Sequence, residues 1–133
     1  MEKSLLVIVR HKPGRTRLLM RALQSINDQT FKKINIIIFC MEEELKCHNV
    51  FPHKAVQEAL QPYAHVHDFV WCQEEPLNQG AWYCSQHHFR EVIPFGAALR
   101  YAGRPASASP AVGYMSVHQK QQQDLVNDAL NVD

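Results

Sequence analysis

The sequence predicts an α/β domain in three layers, with a mostly parallel sheet of about four or five strands between helices. Two observations favour this fold class. Residues 5–9 are a continuous apolar, β-branched run, and residues 34–39 are a second run rich in isoleucine; both are typical of strands buried on both faces. Residues 16–28 between them have an amphipathic pattern with helical spacing. A strand–helix–strand unit of this kind forms a parallel pair with a right-handed crossover.

The later part of the chain continues the alternation of helices and strands. Proline and glycine mark most boundaries, and the last helix is expected to be capped by Ser116 with Val117, Leu125 and Ala129 turned inward. In chain order the predicted elements are a helix over 53–60 ended by Pro62, a strand over 66–71, a helix over 82–92, a strand over 99–102, a loop over 103–113 rich in Pro, Ser and Ala, and a helix from 116 to about 130.

Composition limits the classes of function. A length of 133 residues predicts a single domain over 1–133, and 46% hydrophobic residues allow a real core. A net charge of +1 gives no electrostatic case for binding nucleic acid or an anionic membrane. The apolar run near the start is too short to span a bilayer, so we expect a cytoplasmic protein whose four cysteines are reduced thiols.

Residues 68–90 are the most informative stretch. They read as a short strand, a turn through Glu74, Glu75, Pro76 and Asn-Gln-Gly, and a helix that begins near Ala81. Pro76 ends the strand because it lacks a backbone donor. The helix start points unpaired N–H groups at the carboxyl end of the strand, and that edge of an open α/β sheet is where ligands tend to bind.

The same stretch carries a family resemblance. The run Gln-Glu-Glu-Pro-Leu-Asn-Gln-Gly-Ala-Trp over 73–82, with Phe-Pro-His-Lys at 51–54 and Arg-Tyr-Ala-Gly-Arg-Pro-Ala-Ser at 100–107, resembles the end of the thiamine-dependent decarboxylase component of 2-oxoglutarate dehydrogenase. The resemblance covers about residues 50–133. It implies a Rossmann-like fold of the transketolase C-terminal-domain type and a parent enzyme of the tricarboxylic acid cycle.

A second resemblance concerns the first part of the chain. Residues 4–44 resemble the opening of a family 2-type glycosyltransferase, through Leu-Val-Ile-Val-Arg at 6–10, Leu-Leu-Met-Arg-Ala-Leu-Gln-Ser-Ile at 18–26 and Ile-Asn-Ile-Ile-Ile at 34–38. The acidic residues and the Asp-x-Asp of such enzymes are missing, since no two aspartates are one residue apart. We therefore interpret the chain as a chimera, with a glycosyltransferase-like segment over 1–49 and the dehydrogenase-like segment over 50–133.

The first resemblance also has implications for catalysis. The parent enzymes decarboxylate 2-oxoglutarate on thiamine diphosphate, whose magnesium ion binds near a Gly-Asp-Gly sequence. None of the five glycines here is followed by aspartate. We therefore expect no cofactor in this chain, no catalytic residue, and no activity of the chain alone.

The resemblance implies instead that the domain packs at the parent dimer interface and, in some members, helps bind an acetyl-CoA or adenine-nucleotide effector such as AMP. Carried over residue by residue, Gln79 and Arg104 are the best candidates for effector binding, and Arg100 is a weaker third. An arginine is always charged and forks onto phosphate oxygens. The alternative is that both arginines are solvated. Self-association through the parent surface is the expected partner interaction.

Two alternatives remain open at this stage. A truncated glycosyltransferase-like nucleotide binder would use the first half of the chain, and a recombined domain without ligand would bind nothing. Cys72, Cys84, His87 and His88 are candidate zinc ligands, since Cys84 and His87 have a usable helical spacing. Cys72 does not complete a paired motif, so we expect reduced cysteines and no metal site.

Overall fold

The structure is a computed structural model that describes residues 5–11, 34–40 and 51–130. Strands and helices alternate through these ranges, which confirms the α/β class. In chain order the elements are β1 (Leu5–His11), β2 (Ile34–Cys40), α1 (His53–Leu60), a 3-10 turn (Gln61–Tyr63), β3 (Asp68–Pro76), α2 (Trp82–Val92), β4 (Ala98–Arg104) and α3 (Met115–Leu130).

The four described strands form one parallel sheet in the order β2-β1-β3-β4. Leu5 pairs with both Ile34 of β2 and Asp68 of β3, so the opening strands and the later strands share one hydrogen-bonded sheet. Because all the strands run the same way, their carboxyl ends meet at one edge. The transketolase-like relationship and the single-domain boundary over 1–133 stay predictions.

Helices cover both faces of the β3–β4 half of this sheet. Phe69 and Trp71 face α1 and α2, where the rings of Trp71 and Phe89 meet edge to face at 5.2 Å. Val70 and Ala102 are fully buried on the opposite face. There Arg100, the partner of Val70 in the register, donates to the carbonyl of Asp128 in α3. This alternation follows from the two-residue period of a strand.

The strands β3 and β4 differ from their predicted bounds. The strand expected over 66–71 runs from Asp68 to Pro76, and the one expected over 99–102 extends to Arg104, which shortens the predicted loop over 103–113. The register shifts between Gln73 and Pro76, where Glu74 and Glu75 form a bulge. Cys72, Gln73 and Pro76 stay in the sheet because they pair with residues 102–104 of β4.

The last helix begins earlier than the sequence predicts. Met115 is its first residue, so Ser116 lies inside the first turn and the predicted Ser116 cap is wrong. Val117 is 41% exposed, so its predicted inward position is also wrong. Leu125 and Ala129 are buried as predicted. The inward face of α3 therefore lies in its second half, where it packs on the sheet.

Some predicted elements fall on other parts of the chain. The helix predicted over 16–28 and the connector over 42–50 lie outside the described residues. Among the helices that are described, none combines the length and the apolar character needed to cross a lipid bilayer.

Candidate functional site

The carboxyl end of β3 is organised by the side-chain amide of Gln73, which is 2% exposed. Its Oε1 accepts from Nε1 of Trp71 at 2.9 Å. Its Nε2 donates to the carbonyls of Glu75 and Pro76, both at 3.3 Å, and of Gln79 at 2.9 Å. A bulged strand end leaves carbonyls that lack sheet partners, and buried carbonyls need donors. Gln73 shares this role with the N–H of Gln79, which donates to the Pro76 carbonyl at 2.8 Å, and with the Tyr101 hydroxyl, which donates to the Glu75 carbonyl at 3.4 Å. Together these donors fix the turn over 74–81, which we call the edge turn.

The edge turn requires glycine at position 80. Gly80 has φ +71°, a backbone conformation that residues with a Cβ rarely adopt. An added Cβ would also lie 2.9 Å from Nε2 of Gln73, closer than carbon and nitrogen normally approach. The Asn-Gln-Gly sequence therefore fits the turn for two reasons, its conformation and its close contact with the Gln73 amide.

The edge turn is fastened to the segment that follows β4. Nδ2 of Asn78 donates to the carbonyl of Ser107, and the N–H of Ser107 donates to Oδ1 of Asn78, both at 2.9 Å. Nε2 of Gln79 donates to the same Ser107 carbonyl at 3.1 Å. The N–H of Leu77 donates to the carbonyl of Arg104 at 3.0 Å. These contacts place Gln79 and Arg104, two of the three predicted effector residues, at one edge of the sheet.

Arg104 ends β4 and is 7% exposed. Its Nη2 contacts Nδ1 of His118 at 3.0 Å and donates to Oε1 of Gln122 at 3.3 Å. A guanidinium has only donors, so Nδ1 of His118 must accept, and the imidazole carries its proton on Nε2. Among the residues that the structure describes, no carboxylate lies within ion-pair distance of Arg104, and its enclosed Nε has no hydrogen-bond partner.

A groove of about 660 Å³ opens between the end of β4 and α3. Arg104 and Lys120 bring positive charge to its lining, and Asp124 and Asp128 bring negative charge. Nζ of Lys120 lies 2.8 Å from Oδ2 of Asp124, so these two exposed charges offset each other. Arg104 is enclosed, and no carboxylate within the described ranges pairs with it. It lies at the end of the groove next to the edge turn.

Arg100 is not brought to this groove. Its Nε donates to Oδ1 of Asp68 at 3.1 Å, its Nη2 contacts Oδ2 at 3.4 Å, and its Nη1 reaches the carbonyl of Asp128. Four residues of extended strand place it about 13 Å from Arg104 along β4. The geometry therefore favours a structural ion pair at the other end of the strands, and an effector role for Arg100 stays a prediction.

The two cysteines whose side chains the structure describes, Cys72 and Cys84, do not come together as metal ligands. Cys72 lies on the face of the sheet that α3 covers, and Cys84 lies on α2, on the opposite face. Burial, followed by the charges of Glu74 and Asp128, raises the pKa of the Cys72 thiol to about 12. A thiol with this pKa stays protonated at neutral pH and is neither a good nucleophile nor a good metal ligand.

Two features of the site were missed in the sequence. The hydrogen-bonding role of Gln73 is one of them, although an amide on the same strand face as the apolar Phe69 and Trp71 is a signal for such a role. His118 and Gln122, the partners of Arg104, are four residues apart on α3 and therefore share one helix face. That spacing is visible in the sequence, but the strand it faces is not.

The fold and the site define a class of protein: a parallel α/β domain whose carboxyl edge is closed by amide side chains and carries an enclosed arginine. The comparison with protein families is consistent with this class. The chain belongs to the 2-oxoglutarate dehydrogenase C-terminal family, whose model matches residues 22–130.

Individual relatives agree with the family. The chain is 72% identical over 81 residues to the 2-oxoglutarate dehydrogenase E1 component of Haemophilus influenzae, a match that covers 61% of this chain and 9% of the relative. It is 53% identical over 85 residues to the Azotobacter vinelandii component, covering 62% and 9%, and 42% identical over 100 residues to oxoglutarate dehydrogenase of Buchnera aphidicola, covering 74% and 10%. The chain thus spans about a tenth of the length of these relatives.

The comparisons separate the two resemblances seen in the sequence. The dehydrogenase resemblance over about 50–133 is confirmed. The glycosyltransferase resemblance of residues 4–44 receives no support, and the family match begins at residue 22, well before the seam placed near residue 50. The effector residues are tested by none of these matches.

Proposed function

We propose that this chain is a non-catalytic domain of a 2-oxoglutarate dehydrogenase decarboxylase component that binds an acidic effector, acetyl-CoA or AMP, at the groove beside Arg104. In this proposal the domain contributes effector binding and association, and the oxidative decarboxylation belongs to other domains of the parent enzyme. The proposal includes a cytoplasmic location for the protein. The chimera explains at most the origin of the chain, because the family match includes part of the segment over 1–49 that is predicted to be glycosyltransferase-like.

One observation carries the effector proposal: Arg104 is enclosed, charged, and has no carboxylate partner among the described residues. A buried charge without a counter-ion is costly, and a ligand phosphate would supply both the counter-charge and the acceptor that Nε lacks. The groove gives access to that end of β4. The edge turn with Gln79 forms the neighbouring wall of the same edge through Ser107.

The parent cofactor does not fit the described residues. Magnesium prefers oxygen ligands and retains several waters. The group of three metal-binding side chains that the described ranges bring together contains two imidazoles, which is not a magnesium set. We therefore derive no step through thiamine diphosphate in this chain.

Calorimetric titration of the purified chain with acetyl-CoA, AMP and UDP tests the effector proposal. We expect saturable binding of an adenine compound and no heat from UDP. Arg104→Lys keeps the charge but removes the planar guanidinium. It should therefore weaken binding of the adenine compound by more than about tenfold, or about 1.4 kcal/mol. The measurement is the dissociation constant, with a thermal melt to verify that the variant is folded.

The matched control is Arg90→Lys, at an exposed position on α2, which lies across the sheet from the groove. It should leave the dissociation constant unchanged. Binding of UDP alone would contradict the proposal and favour the nucleotide-binding alternative of the first segment. Flat titrations with all three compounds would favour a domain without ligand.

Association should depend on an apolar surface at the start of α3. Tyr114 is 77% exposed and Met115 is 70% exposed, next to the half-exposed Val117. Contiguous exposed apolar side chains favour protein contacts. We expect sedimentation velocity at two concentrations to show self-association, and the double variant Tyr114→Ser, Met115→Gln to reduce it without lowering the melting temperature. A strict monomer at both concentrations would contradict this prediction.

A further inference from the structure

A cluster of two histidines and one glutamate lies at the junction of α1 and α2, away from the groove. His53 is the first residue of α1, immediately after Phe51 and Pro52. His88 and Glu91 are three residues apart on α2, so they share one face of that helix. The two helices pack through Val56, Leu60 and Phe89 of the core, among others, and this packing brings His53 over the His88–Glu91 face.

The side chains of this cluster converge on one point. Oε2 of Glu91 lies 3.9 Å from Nδ1 of His53 and 3.8 Å from Nδ1 of His88. One ligand atom from each residue lies within 4.8 Å of the other two. A tetrahedral ion with ligands about 2.0–2.1 Å away has ligand atoms about 3.3 Å apart, so side-chain rotations that bring the ligand atoms closer by roughly 0.5 to 1.5 Å would complete the geometry.

Ring contacts fix the orientation of the imidazoles. Phe51 stacks on His88 with ring centroids 4.6 Å apart and planes 19° apart. The rings of His53 and His88 meet edge to face at 4.8 Å and 88°, so they do not stack. The ring centroids of His87 and His88 lie 3.9 Å apart, with their planes tilted by 40°. A site whose ligands are already held costs less ordering when the ion binds.

One ligand atom is left unsatisfied. Nδ1 of His88 is enclosed by protein and, among the described residues, has no hydrogen-bond partner. An enclosed polar atom of this kind favours a bound partner, and a metal ion is one such partner. Glu91 is 63% exposed and His53 42% exposed, so the open side of the cluster faces solvent and admits an ion.

We propose that His53, His88 and Glu91 bind a divalent transition-metal ion, preferably zinc, with water as the fourth ligand. Two imidazoles and one carboxylate are a set that zinc accepts, whereas calcium and magnesium prefer all-oxygen sets. The ion would join the first turn of α1 to the last turns of α2. It would therefore stabilise the packing of these two helices, which carry much of the core.

The test uses the full chain carrying Cys84→Ser, which removes the exposed thiol as a competing ligand. After treatment with a chelator, zinc chloride is titrated by calorimetry, and the melting temperature is recorded with and without the ion. We expect one equivalent to bind and to raise the melting temperature. Cobalt should give a tetrahedral visible spectrum without a thiolate charge-transfer band, since no sulfur ligand is involved.

Glu91→Gln and His53→Gln should each weaken zinc binding at least as much as the roughly 10–100-fold that loss of an outer-shell partner costs. His67→Gln, at an exposed histidine outside the cluster, is the matched control and should leave binding unchanged. Absence of zinc binding would overturn the proposal, as would binding that neither Glu91→Gln nor His53→Gln weakens, or a cobalt spectrum with thiolate bands. None of these outcomes depends on effector binding at Arg104.

Discussion

Replacing Phe69 by alanine should lower the free energy of unfolding by about 3–5 kcal/mol. Phe69 is fully buried on the sheet face that α1 and α2 cover, and it pairs with Leu99 of β4 in the register. Truncation removes the transfer energy of the ring and leaves a cavity that the rigid strands around it cannot fill. The measurement is urea denaturation at neutral pH, with the m-value compared between variants.

Phe95→Ala is the matched control, because Phe95 is fully exposed after the end of α2. The same change of side chain should alter the free energy of unfolding by less than about 0.5 kcal/mol. Equal losses from the two substitutions would mean that the β3 strand does not face a core in solution. A smaller m-value for the Phe69 variant would instead indicate loss of two-state unfolding.

Local sequence predicted the helices of the later segment better than the strands. The bounds of α1 and α2 agree with the predicted 53–60 and 82–92, because Pro52 and the Asn-Gln-Gly turn mark their starts within a few residues of chain. The end of β3 was missed because residues 72–76 are polar and contain a bulge. Cys72, Gln73 and Pro76 stay in the sheet because they pair with β4, some thirty residues later. A local sequence pattern does not predict such a pairing.

The site was predicted in part for the same reason. Gln79 and Arg104 lie at one edge because Gln79 follows β3 and Arg104 ends β4, and the carboxyl ends of parallel strands share an edge. Arg100 looked similar in sequence, but four residues of strand carry it to Asp68, a partner that only the β3–β4 register reveals. The His53–His88–Glu91 cluster depends on the packing of two helices, which residue spacing along a single helix does not predict.

Gln73→Glu should destabilise the domain by roughly 3–5 kcal/mol at pH 7, although the two side chains have nearly the same shape. A carboxylate can still accept from Trp71, but it cannot donate to the three carbonyls that the amide contacts. The carbonyls of Glu75 and Pro76 keep their second donors, whereas the carbonyl of Gln79 loses the shortest of the three amide bonds, at 2.9 Å. The substitution therefore places a buried negative charge against three carbonyl oxygens. Urea denaturation of the variant and the parent chain from pH 4 to pH 8 measures the effect.

The sign of the pH dependence distinguishes this cause from simple loss of packing. Burial should raise the folded-state pKa of the introduced carboxyl above its ordinary value of about 4.3. The folded state then binds a proton that the unfolded state has lost, so the variant loses stability as the pH rises through that window, by up to about 1.4 kcal/mol per unit. Gln57→Glu, at an exposed position on α1, should show neither the loss nor the slope. A penalty for Gln73→Glu that is the same at pH 4 and pH 8 would show that the charge is not confined against the edge-turn carbonyls.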